Sequence, residues 1–315
     1  MSLVTTPAAG AAVGADAVRA RLAGGRTDVR GRLFQVALVS CLALAMVILT
    51  VLLIDVVSTG WPVLSERLGD FLTGRLSARP ARAGVSQALH GSFWIAVFVV
   101  GLAFPIGIAA AIYLEEYAPK SRLSRFIDVN IRNLAGVPSI VYGLLGFAIF
   151  VKALGDLTGG RTVMAAGITL AVLVLPIVII TSAEAIRAVP DSIREAGFGV
   201  GATRWEVVRS HVLPYAAPGI LTGTVLALAR ALGEAAPLIL VGAVTDFLGG
   251  SSGLFDVSQL TEKFTAMPIV IFSWAGQPRE EFRALTAAAI VVLLVVVLLA
   301  NSAAILLRNR YEKRR

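Results

Sequence analysis

Six long apolar stretches alternate with polar, charged segments along the chain. The first, residues 33–57 (LFQVALVSCLALAMVILTVLLIDVV), carries only isolated polar side chains. At about 1.5 Å per residue, a helix of that length crosses the roughly 30 Å hydrocarbon core of a bilayer with some tilt. It is too long for the apolar region of a cleaved leader, so it predicts an uncleaved first span. Further spans are predicted at 92–114, 134–151, 163–183, 215–245 and 284–307. The third contains Gly136, Pro138, Gly143 and Gly146. Such breakers are tolerated where neighbouring helices or a cavity satisfy the freed backbone groups, which predicts a position inside a bundle. Gly219 and Gly223 form a GxxxG pattern, the mark of a close helix–helix face.

The pattern therefore predicts an all-α, polytopic membrane protein with six transmembrane helices. Residues 1–32 read as a mobile cytoplasmic tail, 33–57 as the first span and 58–88 as an outer loop. Residues 89–307 hold the five-span core, with a cytoplasmic loop at 184–214, and 308–315 form a basic cytoplasmic end.

Composition narrows this further. Of 315 residues, 57% are hydrophobic and 15% charged, and mean hydropathy is +0.82. A soluble domain is nearer a quarter charged, so a soluble enzyme and a disordered chain are both excluded. The one cysteine, Cys41, permits no internal disulfide, and the two histidines, His90 and His211, cannot build a His-rich metal site. The net charge of +8 is largely topological. With the N-terminus inside, inner segments carry 18 Lys and Arg, outer loops carry 9, and Arg230 remains within a span. That bias predicts both termini in the cytoplasm. No clustered basic face on a folded module suggests a nucleic-acid partner.

Catalytic patterns are missing. None of the four lysines follows a glycine, so a GxxxxGK[ST] phosphate cradle is impossible. Gly197, Gly199 and Gly201 have the wrong spacing for a dinucleotide loop. The chain reads as a non-enzyme without its own ATPase site, needing no cofactor of its own. Energy for any active transport must come from another protein.

Two segments stand out. In the loop 184–214, Ser192-x-x-Glu195 and Thr203-x-x-Glu206 are both capping-box patterns, predicting two short helices joined at Gly201. Their small residues, Ala196, Gly197 and Ala202, suit either a closely docked partner or a hairpin lying on the membrane surface. In the fifth span, Arg230 and Glu234 sit four residues apart in apolar surroundings, which puts them on one helix face at about mid-membrane. A charge there costs about 2.5–3.5 kcal/mol on insertion scales. The pair fits either an anion path, since guanidinium offers bidentate donors to oxyanions, or a structural bridge to another subunit. Glu115, Glu116 and Tyr117 read as a solvated helix end.

The loop also resembles the EAA signature of ABC importer permeases. Glu195, Ala196, Gly197, Gly201, Leu213 and Pro214 fall at its spacing, with Gly197 and His211 departing from the usual residues. The stretches YLEEYAPKSR (113–122), NLAGVPSIVYGLLG (133–146), RALGEAAPLI (230–239) and MPIVIFSWAGQPREEF (267–282) resemble the phosphate-specific importer permeases. GEAAPL (233–238) points to their PstA-type subunits, which have a type I permease fold. The resemblance implies that Glu195, Ala196, Gly197, Gly201, Leu213 and Pro214 couple to a separate ATPase, and that Arg230 and Glu234 line the phosphate path. It implies a heterodimer with a PstC-type permease, two ATPase subunits that bind ATP and Mg, and an extracytoplasmic phosphate-binding protein, in the bacterial inner membrane. A permease for sulfate or molybdate, or an integral membrane enzyme, are the alternatives.

Overall fold

A computed structural model describes residues 29–244, 260 and 262–312. Most of the expected N-terminal tail, the end of the fifth predicted span and the last three basic residues lie outside that set. Every described element is a helix or turn. Among the described residues, five helices are long and apolar enough to cross a membrane, or six if one bent pair is counted as a span.

The first helix, α1, runs Val29–Glu66, nine residues beyond the predicted end of the first span. Its residues 29–55 belong to a first unit and are exposed throughout, with a long apolar run between charged ends at Arg30 and Asp55. The second unit begins at Val56. In it, α2 (Leu68–Thr73) leads through a loop into α3 (Ser86–Tyr117). Pro105 has no N–H to give within α3, and the turn before it, Val99–Ala103, widens to π winding.

The third predicted span is not a straight helix. It is a bent pair, α4 (Arg122–Ala135) and α5 (Ser139–Ala153), meeting at 99°. Pro138 drives its neighbour Val137 out of helical geometry, and the chain turns there. The Tyr142 hydroxyl donates to the Leu134 carbonyl at 2.9 Å and stitches the bend. A short α6 (Gly155–Thr158) then leads to α7 (Val163–Arg187).

α7 is the centre of the second unit. It is apolar all round, as a helix surrounded by others must be, and most of its residues are buried. α3, α5 and α9 (Arg204–Gly233) pack against it. The GxxxG face behaves as predicted. A Cβ on Gly219 would stand 2.7 Å from Ala185 Cβ, and one on Gly223 would overlap the Thr181 side chain. The remaining helices are α8 (Asp191–Gly199), α10 (Ala236–Val241), α11 (Met267–Ala275) and α12 (Glu281–Glu312).

Candidate functional site: a docking hairpin and a broken helix at mid-depth

The chain turns at Gly201, as the sequence predicts. The Ala202 N–H donates to the Gly197 carbonyl and the Gly201 N–H to the Phe198 carbonyl, at 3.2 and 3.0 Å. With Gly201 at φ 82°, these two bonds form a Schellman cap that closes α8. The Thr203–Glu206 capping box forms and opens α9. Two expectations fail. Ser192 caps nothing, because α8 already starts at Asp191 behind Pro190, so Ser192 lies inside its first turn. The second helix is not short either, since α9 continues without interruption into the fifth span.

Gly197 is turned inward. A Cβ there would lie 2.7 Å from Val207 Cγ2, so its smallness lets α8 lie on α9 instead of offering a partner surface. Glu195, Ala196, Gly201 and Pro214 are exposed, and Leu213 is half-buried. Beside them stand large apolar side chains that the sequence reading missed: Val200 is 85% exposed, Trp205 54% and Phe198 48%. Their signal was the spacing of bulky residues around Gly201. A surface of this kind marks an interaction site.

The hairpin is fastened to the rest of the chain by ion pairs. Arg194 donates to Glu116 Oε1 from Nη2 at 2.8 Å and from Nε at 3.1 Å. It also donates to the Ile186 carbonyl at the end of α7 and to the Val189 carbonyl just beyond it. Arg187 pairs with Glu115. Glu115 and Glu116 are therefore not a solvated helix end. Glu116 is only 9% exposed, because α8 covers it.

The fifth span departs from the expected continuous helix 215–245. α9 stops at Gly233, and Glu234 is extended, at φ −80° and ψ 123°. A continuing helix would need an N–H at position 237 to reach the Gly233 carbonyl, and Pro237 has none. The chain restarts as α10. It can do so against α5 because Gly143 leaves room: a Cβ there would stand 2.7 Å from Pro237 Cα.

Arg230 and Glu234 still meet, with Nη2 and Oε1 3.3 Å apart, although they no longer share a helix. Depth follows from packing. Gly219 faces Ala185 and Gly223 faces Thr181, so α9 runs antiparallel to α7 in a fixed register. Continuing it puts Arg230 level with Val174, one residue from the middle of α7. The Arg230 side chain is half exposed, and that of Glu234 is 17% exposed. An arginine half out of its own chain at that depth must face water or another subunit, because hydrocarbon cannot solvate it. A helix broken at mid-membrane beside it is a common way to build an ion path.

A helical bundle of this topology is the fold seen in solved ABC importer permeases. A bacterial ABC transporter involved in import of the acidic polysaccharide alginate has the same fold, with TM-score 0.56 and 16% identity over 87% of this chain and 98% of that one. Residues 103–313 match the family described as binding-protein-dependent transport system inner membrane component, and the chain belongs to that family. The phosphate transport system permease protein PstA of Haemophilus influenzae is 31% identical over 75% of this chain and 79% of its own. PstA 1 of Mycobacterium tuberculosis is 40% identical over 50% of this chain, a match spanning 51% of that relative.

Proposed function

We propose that the chain is the transmembrane subunit of an ATP-driven inorganic phosphate importer, forming half of its translocation path. One observation carries the reading: a half-exposed arginine at mid-depth, held by a carboxylate beside a helix break. Guanidinium is matched to oxyanions by its planar pair of donors. Glu234 keeps that donor occupied when no anion is present and yields it when one passes. The likeness to PstA permeases supports phosphate as the anion.

The other half of the path comes from a PstC-type permease. The exposed rim of Phe198, Val200 and Trp205, with Glu195 and Ala196, docks into a separate ATPase, where ATP and Mg bind. That puts the hairpin and both termini in the cytoplasm, and the chain in the inner membrane. A phosphate-binding protein delivers substrate from the other side.

The test is uptake of radiolabelled phosphate in cells lacking only this chain, restored by the cloned chain and challenged with excess sulfate. Loss and restoration of uptake that sulfate does not compete support the reading. Uptake that is unchanged by the deletion, or abolished by sulfate, refutes it.

A further inference from the structure

Three arginines of the second unit line one open cavity of about 600 Å³: Arg75, Arg82 and Arg279. Ser77, Ser273 and Gln277 add hydroxyl and amide groups, and no carboxylate lines the walls. Among the described residues, none of the three guanidiniums has an ion-pair partner. The cavity lies beside the start of α3, whereas the hairpin is fastened near that helix's last residues. Thirty-two residues separate the two ends, or about 48 Å of helix. The cavity thus lies at the end of α3 opposite the hairpin.

Cations at that end run against the topological bias that keeps Lys and Arg inside, so their gathering needs a reason. The walls are also built to stay in place. Arg67 donates to the carbonyls of Pro80, Ala81 and Ala83 and so pins the loop that carries Arg82. The Leu76 N–H donates to Gln87 Oε1 at 3.1 Å, which fixes the strand of chain beside Arg75. Beneath lies an aromatic floor, with Trp274 6.3 Å from Phe71 and 5.9 Å from Phe282, centroid to centroid. Unpaired guanidiniums on a rigid concave surface concentrate anions, since a cleft of one charge sign focuses the field.

The geometry points to an oxyanion-holding vestibule at the outer mouth, in which Arg75, Arg82 and Arg279 receive inorganic phosphate as the binding protein releases it and hold it before it reaches Arg230. The size fits. At about 30 Å³ per water, the cavity admits a small oxyanion together with its water shell, so the site captures by charge and lets go easily. This inference rests on the phosphate-import reading. It adds a second anion site to it, at that end of α3.

The test uses the complete membrane complex in nanodiscs of neutral lipid, carrying Arg230→Gln so that the mid-depth site is silent. The probe is inorganic phosphate, followed by broadening of its phosphorus resonance. We expect broadening that falls at least fivefold when Arg75, Arg82 and Arg279 are all changed to Gln, and that largely survives when all three become Lys. With Arg230 intact, the triple Gln change should lower the maximal rate of uptake driven by the loaded binding protein several-fold and flatten its dependence on salt. Equal broadening in the triple Gln complex, at equal recovery of assembled complex, overturns the vestibule. So does broadening abolished by adding phosphatidylglycerol, which would make the cavity a lipid headgroup site. Neither result touches the import reading, which fails only if the unaltered complex does not carry phosphate.

Discussion

Arg194 and Glu116 join segments that are 78 residues apart in sequence, and their 2.8 Å contact is what holds the hairpin against the end of α3. Because both side chains are largely covered, removing one leaves a charge stranded. Loss of one partner of a buried pair costs about 3–5 kcal/mol, and the partial exposure of Arg194 puts this pair at the lower end. Arg194→Leu should therefore lower the melting temperature of the purified complex. It should also cut the phosphate moved per ATP hydrolysed several-fold. The exchange Glu116→Arg with Arg194→Glu should recover part of both. An unchanged transport-to-ATP ratio in the single variant would count against a role in coupling.

Arg230→Gln should abolish phosphate uptake without preventing membrane insertion. Glu234→Gln and the double variant decide why. If Arg230 contacts phosphate, the double variant regains assembly but not uptake. Recovered uptake in the double variant would leave only a structural pair.

Gly201 and Val200 separate hairpin shape from docking. Gly201→Ala forces a side chain into the left-handed region, at about 1–2 kcal/mol, and should loosen the hairpin itself, read as lower melting. Val200→Asp changes an exposed position, where substitutions usually stay within about 0.5 kcal/mol. It should leave the melting temperature alone yet prevent co-purification of the ATPase. Intact co-purification would move the docking surface elsewhere.

Gly223→Leu should disrupt the face between α7 and α9. The side chain has no space beside Thr181, so α7 and α9 must part. Overpacking of this kind typically costs about 1–3 kcal/mol. The check is the yield of folded chain in membranes, compared with Leu226→Ala on the exposed side of the same helix.

Much of the fold was legible from the chain. Apolar runs long enough to span a bilayer can hardly be anything else, and the turn at Gly201, the Thr203 cap and the Gly219–Gly223 face followed from local chemistry alone. The misses share a cause. Pro237 was visible, but the apolar run through it hid the break, because hydropathy is blind to a missing N–H. Glu115 and Glu116 looked solvated because their partners, Arg187 and Arg194, come 72 and 78 residues later. Gly197 looked like an outward surface because only the closed hairpin brings Val207 onto it. Arg230 and Glu234 were found as a pair for a reason that proved incomplete: they meet across a break, not along a helix face.

The aromatic trio Phe71, Trp274 and Phe282 has one more consequence. The hairpin end of the second unit is secured by ion pairs and the opposite end by ring contacts, and the two respond to dissolved salt in opposite senses. At about 1 M salt the screening length falls to roughly 3 Å, which weakens partly exposed pairs, while excluded salts such as sulfate strengthen apolar contact. An ammonium sulfate ramp should therefore undo the bundle from one end only. Amide exchange should quicken first around Glu115 and Arg194 while Trp274 keeps its emission unchanged, so that the molecule behaves like a clasp with a fixed jaw and a free one.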